Sequence, residues 1–365
     1  MSLEFLAGEE QARGAMLRTV EKTSKQMAGV YRQAYQDLAA KAGKQASGSL
    51  TQRWQQSMSE SLNERMHQLN GEATAVISTS MQSAGQLPGK ATADWLDMVI
   101  SRAGAKGAGD AYRSVLTRTS DEAMRQVLSG AAYLDSKALS KRIWKTTKRA
   151  RDGINAVLQQ GIAQKKSAYE LAKDLEKFVK RNARQDYDWT KVYPDIPYWL
   201  QPISVEKHAQ TLARTSINHA FYLAMVAAAE QNPFATCIHW QLSPQHYERQ
   251  TLPNGADVCD EYAYHDEGLG LGNFPINAVP MPHPNCLCSQ YAVVPQTLAQ
   301  CADDLRRLLD GEVNHALQGN FLNWGDLLGR MGAGTAGQGS ATKQSAVIDK
   351  KPQDVRSEMM NWSIL

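Results

Sequence analysis

Long hydrophobic runs are missing from this sequence. The longest uninterrupted apolar stretch, residues 221–229, is too short for a transmembrane helix, which takes about 20 residues. Residues 1–6 contain neither a basic segment nor a long apolar core, and Glu9 and Glu10 follow them closely. This pattern does not match a secretory signal. We therefore expect no membrane anchor, and a protein that stays in the compartment where it is made.

Strongly apolar side chains and net charge are also scarce. Hydrophobic residues make up 42% of the 365 residues, and Leu, Ile, Val and Phe are individually sparse. This composition favours a helical scaffold with a thin core that neighbouring chains complete. The formal net charge of +3 is too small to indicate a nucleic-acid-binding protein by itself. The distribution of charge along the chain is therefore more informative than its sum.

Cysteines are few, and their positions are uneven. Four of the five cysteines lie within residues 236–295, together with four of the eight histidines. An odd and clustered set of cysteines fits a reducing compartment and a metal site better than a framework of disulfides. A disulfide between Cys286 and Cys288 is also disfavoured, because a single intervening residue strains the geometry of the bridge.

The clustered residues have the chemistry of a zinc site. Thiolate and imidazole form the usual ligand set of tetrahedral zinc. Cys259, Cys286 and Cys288 are the candidate sulfur ligands, and His283 or His246 is the candidate fourth ligand. Prolines on both sides of His283 stiffen this loop. We predict one structural zinc ion. The alternative is that the cysteines are small buried hydrophobes and the histidines ordinary loop residues, because the regular Cys-x-x-Cys pairs of zinc fingers are missing.

Common catalytic signatures are absent as well. The sequence contains no His-Glu-x-x-His, no Gly-x-Ser-x-Gly and no Gly-Lys-Ser/Thr loop for phosphate. A metal-dependent hydrolase would need an acid or base beside an ion with an open coordination position, and Asp260, Glu261, His265 and Asp266 are the nearby candidates. Three sulfur ligands are more typical of a closed structural site. We therefore predict no enzymatic activity and no catalytic residues.

Periodicity predicts a mainly α fold. Helical spacing is present over residues 12–42, 132–162 and 204–231, a turn is predicted at 86–89, and alternation predicts short antiparallel strands near Trp240 and Tyr291. We expect an elongated helical bundle of hairpins, with a small α+β Cys/His module in the C-terminal third. The predicted divisions are a helical scaffold and partner-binding region (1–130), a helical core with a Pro/aromatic loop (131–235), the Cys/His module with short strands (236–295), a C-terminal helix in which Cys301 is a core thiol (296–330), and a flexible tail (331–365).

The predicted helix over 132–162 has a lopsided charge. Its segment 137–151 contains seven basic residues and no acid. One interpretation is the solvated face of an amphipathic helix, and the other is a surface that faces phosphate groups or an acidic partner. The candidate contact residues are Lys141, Arg142, Lys145, Lys148 and Arg149.

Several short motifs support a resemblance to a known family. They are Trp240-Gln-Leu-Ser-Pro-x-His246, Asp257-x-Cys259-Asp260, Gly268-Leu-Gly270 and His283-Pro-x-Cys286-x-Cys288. Together they resemble the Mu F-like head-morphogenesis, or minor head, proteins of tailed bacteriophages, over residues 140–295. Members of that family typically have a Cys-x-x-Cys pair and a final His-Pro-x-Cys-x-Cys. Tyr262 stands where the second cysteine of the first pair is expected, which favours His246 as a substitute ligand.

The resemblance implies a structural virion component. It would be incorporated in few copies inside the capsid near the portal, after synthesis in the host cytoplasm, and would assist head assembly and genome packaging or ejection. The implied partners are the portal protein, other head proteins and other copies of this chain, with packaged double-stranded DNA as a further candidate. The alternative is a zinc-containing nucleic-acid-binding protein, although the acids around Cys259 would repel phosphate.

Overall fold

The structure is a computed structural model that describes residues 2–44, 52–105, 108–164, 166–177, 197, 200 and 202–310. The predicted tail over 331–365 lies outside the described residues. So do residues 311–330 of the predicted C-terminal helix and nearly all of the Pro/aromatic loop over 186–202. In the described part of the chain, no helix has both the length and the hydropathy to cross a membrane.

The described residues are mainly helical, as predicted. The helices before the sheet are α1 (Leu3–Lys44), α2 (Gln52–Ala103), α3 (Ala108–Ser129), α4 (Leu139–Ala163), α5 (Ala168–Lys177) and α6 (Pro202–Gln231). In α1 the buried residues Val20, Met27, Tyr31 and Leu38 recur at intervals of four or seven positions. This spacing places them on one side of the helix, which is how α1 forms an apolar stripe.

Helix α2 contradicts the predicted turn at residues 86–89. It continues through Pro88 and Gly89 without interruption, although a proline inside a helix costs about 3 kcal/mol. A methyl group on Gly89 would lie 2.7 Å from Ser120 Oγ of α3. Close helix packing at Gly89, and the full burial of Leu96 about two turns later, offset this cost. Tertiary packing therefore outweighs the local turn signal.

The chain folds into two compact units, and four helices contribute to both. Among the described residues, the first unit comprises those within 2–16, 84–124 and 219–310, and the second comprises those within 17–83 and 125–218. The core of the first unit contains an aromatic group in which Trp95 meets Phe5 at 5.1 Å and Phe234 at 5.8 Å between ring centroids. Cys301 is completely buried in this core, which confirms its prediction as a core thiol.

Polar contacts join the helices of the second unit. The Thr23 hydroxyl of α1 donates to Ser80 Oγ of α2 at 2.7 Å. Arg65 of α2 lies 2.9 Å from Asp37 Oδ2 of α1 and 3.0 Å from Glu72 Oε1. These contacts supply hydrogen-bond partners to polar groups between helices, which would otherwise be costly to bury.

A small antiparallel sheet belongs to the first unit, as alternation predicted. Its strands are β1 (Cys237–Gln241), β2 (Asn273–Phe274) and β3 (Ser289–Val293), in the order β2-β1-β3. Ile238 pairs with Phe274 on one side and with Ala292 on the other. The two-residue strand β2 was not predicted. Around the sheet lie a π-helical turn (Tyr247–Thr251), α7 (Leu252–Asn254), α8 (Val258–Tyr264) and α9 (Leu298–Leu309).

Candidate metal centre

Three of the predicted ligands come together in the fold. Cys259, Cys286 and Cys288 are buried, and their sulfur atoms all lie within 4.8 Å of one another. We call these three residues the cysteine cluster. They are thiols and not disulfides, and the Cys259 and Cys286 sulfurs are 3.5 Å apart. Two sulfurs bound to one tetrahedral zinc ion are about 3.8 Å apart, so the spacing of the cluster fits a shared ion.

Cys259 is placed by the start of α8. The Asp257 carboxylate caps this helix by accepting from the Cys259 backbone N–H at 2.8 Å. The Asp260 carboxylate in turn accepts from the Asp257 N–H at 2.8 Å, which completes a capping box. This reciprocal pair fixes the backbone of the first helical turn. The Cys259 sulfur is therefore held in position by local structure before any metal binds.

Cys286 and Cys288 are placed by the loop that leads into β3. Asn285 has a left-handed conformation with φ of 64°, which turns the chain between His283 and Cys286. The Cys288 N–H then lies 3.3 Å from the Cys286 sulfur, and the Ser243 N–H lies 3.5 Å from the Cys288 sulfur. Backbone N–H groups that point at sulfur stabilise its ionised form.

Side chains from α6 and α1 hold this loop from outside. The His219 ring donates through Nε2 to the Pro282 carbonyl at 2.8 Å, and the Tyr222 hydroxyl donates to the Val279 carbonyl at 2.7 Å. Arg13 donates to the carbonyl of Leu287, the residue between the two cysteines, at 2.6 Å. The loop is therefore fixed by three contacts from residues distant in sequence.

A glycine-rich turn joins α8 to β2. The Asp266 carboxylate accepts from the N–H groups of Gly268 and Gly270 at 2.8 and 3.0 Å. Gly272 has a φ of 69°, and a Cβ there would lie 2.9 Å from the Trp240 carbonyl oxygen. Only glycine combines this conformation with so close an approach to β1.

His246 supplies an imidazole nitrogen to the cysteine cluster. Its Nδ1 lies 3.5 Å from the Cys288 sulfur, close to the separation of about 3.6 Å that nitrogen and sulfur have on one zinc ion. Its Nε2 lies 3.0 Å from Asp260 Oδ2. Because that nitrogen donates to the carboxylate, the Nδ1 lone pair faces the sulfur. Carboxylates commonly orient metal-binding histidines in this way.

His283 also reaches the cluster, beside Cys259. Its Nε2 lies 3.3 Å from Asp257 Oδ2, and the ligand atoms of Asp257, Cys259 and His283 all lie within 4.8 Å of one another. Its Nδ1 lies 2.9 Å from the Pro284 carbonyl oxygen. The structure thus brings both candidate histidines to the centre, at different cysteines.

Electrostatics favour a cation within the cluster. Hydrogen bonds from the thiols of Cys259 and Cys286 lower the pKa of Cys288 to about 2. Hydrogen bonds to the sulfurs of Cys286 and Cys288, followed by burial, raise the pKa of Cys259. One thiolate therefore forms readily, whereas additional thiolates repel it at this distance. A divalent ion removes the repulsion and allows all three sulfurs to ionise.

Aromatic side chains form one wall of the centre. The Tyr262 ring lies 4.9 Å from Trp240 and 6.1 Å from Phe274, in both cases edge to face. Both Trp240 and Phe274 are buried with the cysteine cluster. Tyr262, at the position of the second cysteine in the resembled family, contributes packing here.

The basic residues of α4 differ in their surroundings. Lys141, Lys145 and Lys148 are exposed. Arg142 is buried, forms an ion pair with Asp135, and lies 4.4 Å above the Tyr133 ring. Arg142 therefore stabilises the chain between α3 and α4.

Arg149 also has a partner within the protein. Its guanidinium contacts His208 Nε2 of α6. Burial, with the charges of Arg149 and Lys145, lowers the pKa of His208 to about 4. His208 is thus the neutral acceptor of this contact, and Lys141, Lys145 and Lys148 are the exposed candidate contact residues of α4.

Sequence reasoning had not assigned ligand-orienting roles to Asp257, Asp260 and Arg13. For the two aspartates a signal exists, because Asp257 and Asp260 have the spacing of a capping box directly around Cys259. Arg13 has no such signal, since it lies 274 positions from Leu287.

Comparisons with known proteins do not identify the chain. No family model, no curated protein and no solved structure matches it.

Proposed function

We propose that the chain is a minor head protein of a tailed bacteriophage, stabilised by a structural zinc ion. The observation that carries the zinc proposal is the cysteine cluster with His246 Nδ1 at 3.5 Å from Cys288. Three thiolates and one imidazole form a closed tetrahedral set of the kind found in structural zinc sites. Soft sulfur ligands in this geometry favour zinc over magnesium or calcium.

The location of the motifs supports the head-protein proposal. Three of the four segments that resemble the Mu F-like family begin at Trp240, Asp257 and His283, and all three contribute to this one centre. A metal-stapled module would account for their occurrence together. The resemblance thereby gains a physical reason.

The helices support a scaffolding role. Helices α1 and α2 contain 42 and 52 residues, which correspond to lengths of about 60 and 80 Å. Helices of this length suit extended contact with other proteins. In the proposed role, a helical scaffold with its Cys/His module joins the portal and neighbouring head proteins inside the capsid. There it assists assembly and the packaging or ejection of DNA.

Metal analysis tests the zinc proposal. Full-length protein, purified without chelators, should contain at least one zinc ion per chain, and its clustered thiols should resist a thiol reagent until the zinc is removed. Protein without bound metal, whose thiols all react at once, would show that the cluster is an ordinary part of the core.

Particle composition tests the head-protein proposal separately. Mass spectrometry of purified virions should detect the chain at few copies, and tagged full-length protein should retain portal protein through washing. A chain that is absent from intact virions and does not bind the portal would contradict the proposal, whatever its metal content.

A further inference from the structure

The centre contains more ligand groups than one tetrahedral ion uses. The cysteine cluster and His246 already provide four ligands. Asp257 and His283 remain, with only 13% and 18% of their side chains exposed. Their ligand atoms and the Cys259 sulfur lie within 4.8 Å of one another. These three residues form a second group of metal-binding type, which shares Cys259 with the first.

The hydrogen bonds of His283 indicate which nitrogen would bind an ion. Nδ1 lies 2.9 Å from the Pro284 carbonyl oxygen, which can only accept, so Nδ1 carries the hydrogen. In the neutral ring, the Nε2 lone pair then faces Asp257 Oδ2 at 3.3 Å. Two acceptors at this distance repel each other unless a proton or a metal cation lies between them. Nitrogen and oxygen ligands of one tetrahedral zinc ion are about 3.3 Å apart.

Asp257 can bind an ion without giving up its role as helix cap. Its Oδ1 accepts from the Cys259 N–H, whereas its Oδ2 is the atom that faces His283. Oδ1 thus caps the helix, and Oδ2 is the oxygen that can bind an ion. A ligating carboxylate that is itself hydrogen-bonded is the usual arrangement at metal sites.

Charge balance also favours a second cation. Among the described groups of the centre, a single divalent ion and Arg13 together supply three positive charges. The three thiolates, Asp257 and Asp260 supply five negative charges. A second divalent ion offsets this excess of negative charge, which is important because unpaired charges are costly in so buried a place.

We propose that Asp257 Oδ2, His283 Nε2 and the Cys259 thiolate bind a second zinc-type ion, so that Cys259 bridges two ions. This inference rests on the zinc centre proposed above. Three protein ligands leave one coordination position for water. The second ion should therefore exchange faster with a chelator than the ion enclosed by three cysteines and His246.

Ion stoichiometry tests the second site in the full-length protein. After loading with Zn²⁺ and desalting, we expect two ions per chain by elemental analysis. Asp257→Asn should reduce this number to one with all clustered thiols still protected, because Asn retains the cap and removes Oδ2. His283→Asn should do the same. His265→Asn is the matched control, since His265 lies in the same module and pairs with Glu267, and it should keep two ions.

The wild-type protein gives a decisive result even if a variant fails to fold. One ion per chain with protected thiols would overturn the second site and leave the first intact. No ion and reactive thiols would overturn both proposals. Two ions in folded Asp257→Asn protein would show that the second ion binds elsewhere.

Cobalt tests the bridge itself. If Cys259 bridges two Co²⁺ ions, magnetic coupling should reduce their electron paramagnetic resonance intensity below that of two isolated ions. The single ion of Asp257→Asn should then give the full intensity for its content. Uncoupled ions in the wild-type protein would overturn the shared thiolate.

Discussion

Asp260 offers a direct test of how the metal centre is organised. Its Oδ2 lies 3.0 Å from His246 Nε2 and also accepts from the Asp257 N–H at 2.8 Å. Asp260→Ala removes both interactions and no proposed metal ligand. His246 then loses the carboxylate that directs its Nδ1 towards Cys288, and α8 loses half of its capping box.

The size of the expected effect follows from these contacts. Loss of an outer carboxylate typically lowers metal affinity by about 10- to 100-fold, or about 1.4 to 2.7 kcal/mol. Asp257 Oδ1 is only 3.6 Å from the same nitrogen and can replace part of the interaction, so we expect about 10-fold. The lost cap should destabilise the apo protein by about 1 kcal/mol. Asp260→Asn should have a smaller effect, because both bonds end on one oxygen that an amide can replace without the charge.

Competition with a chromophoric chelator measures the zinc affinity of full-length protein, and circular dichroism checks that each variant is folded. Glu261→Ala is the matched control, because Glu261 is the next residue of α8 and its side chain is exposed. Affinity within twofold of the wild type in Asp260→Ala would refute the orienting role. An equal loss in Glu261→Ala would assign the effect to general charge around the helix.

Three further expectations concern the Cys/His module as a whole, Glu9 and the exposed lysines of α4. A strong chelator should abolish the near-ultraviolet aromatic signal of residues 236–295 and leave most of the helical signal. The reason is that small folds held together by a metal ion draw their stability from that ion. A proportional loss of both signals would contradict this expectation. Burial raises the pKa of Glu9 from 4.5 to about 8. The free energy of unfolding should therefore fall as the pH rises from about 5 to 8, because the folded protein favours the protonated form of Glu9. In urea unfolding, Glu9→Gln should flatten this fall. An unchanged dependence on pH would exclude Glu9 as its source. Replacement of Lys141, Lys145 and Lys148 by Gln should leave folding nearly unchanged. If this face meets packaged DNA, the replacement should weaken DNA binding and its dependence on salt. Unchanged affinity at low salt would identify a solvated face.

The features that were predictable from sequence are those with a local cause. Cys259, Cys286 and Cys288 stand out because ligand-type residues are concentrated between turn-forming residues in a chain otherwise poor in them. The alternation that predicted β1 and β3 covers Ile238, Trp240 and Leu242 in one place and Tyr291 and Val293 in the other, and each strand contains five residues, which is long enough for such a period to be visible. Strand β2 contains two residues, and no period can be read from two positions.

The features that were not predictable depend on contacts across the chain. The turn signal of Pro88 and Gly89 is real, but α3 packs against Gly89 and the helix persists. The choice between His246 and His283 as the fourth ligand also depends on contacts between distant residues. The Asp260 carboxylate directs the His246 ring, and the Pro284 carbonyl directs the His283 ring; residue spacing alone does not give the direction of a ring.

Tyr262 explains why the proposed centre needs a ligand from outside α8. It follows Cys259 by one helical turn, so a cysteine there would lie on the same side of the helix. The tyrosine packs on Trp240 and Phe274 instead, and the fourth ligand must come from another segment. His246, which follows β1, is 42 positions from Cys288. A zinc ion bound by both would close a longer loop than a ligand pair within α8, and would tie the segment after β1, the start of α8 and the loop before β3 into one unit.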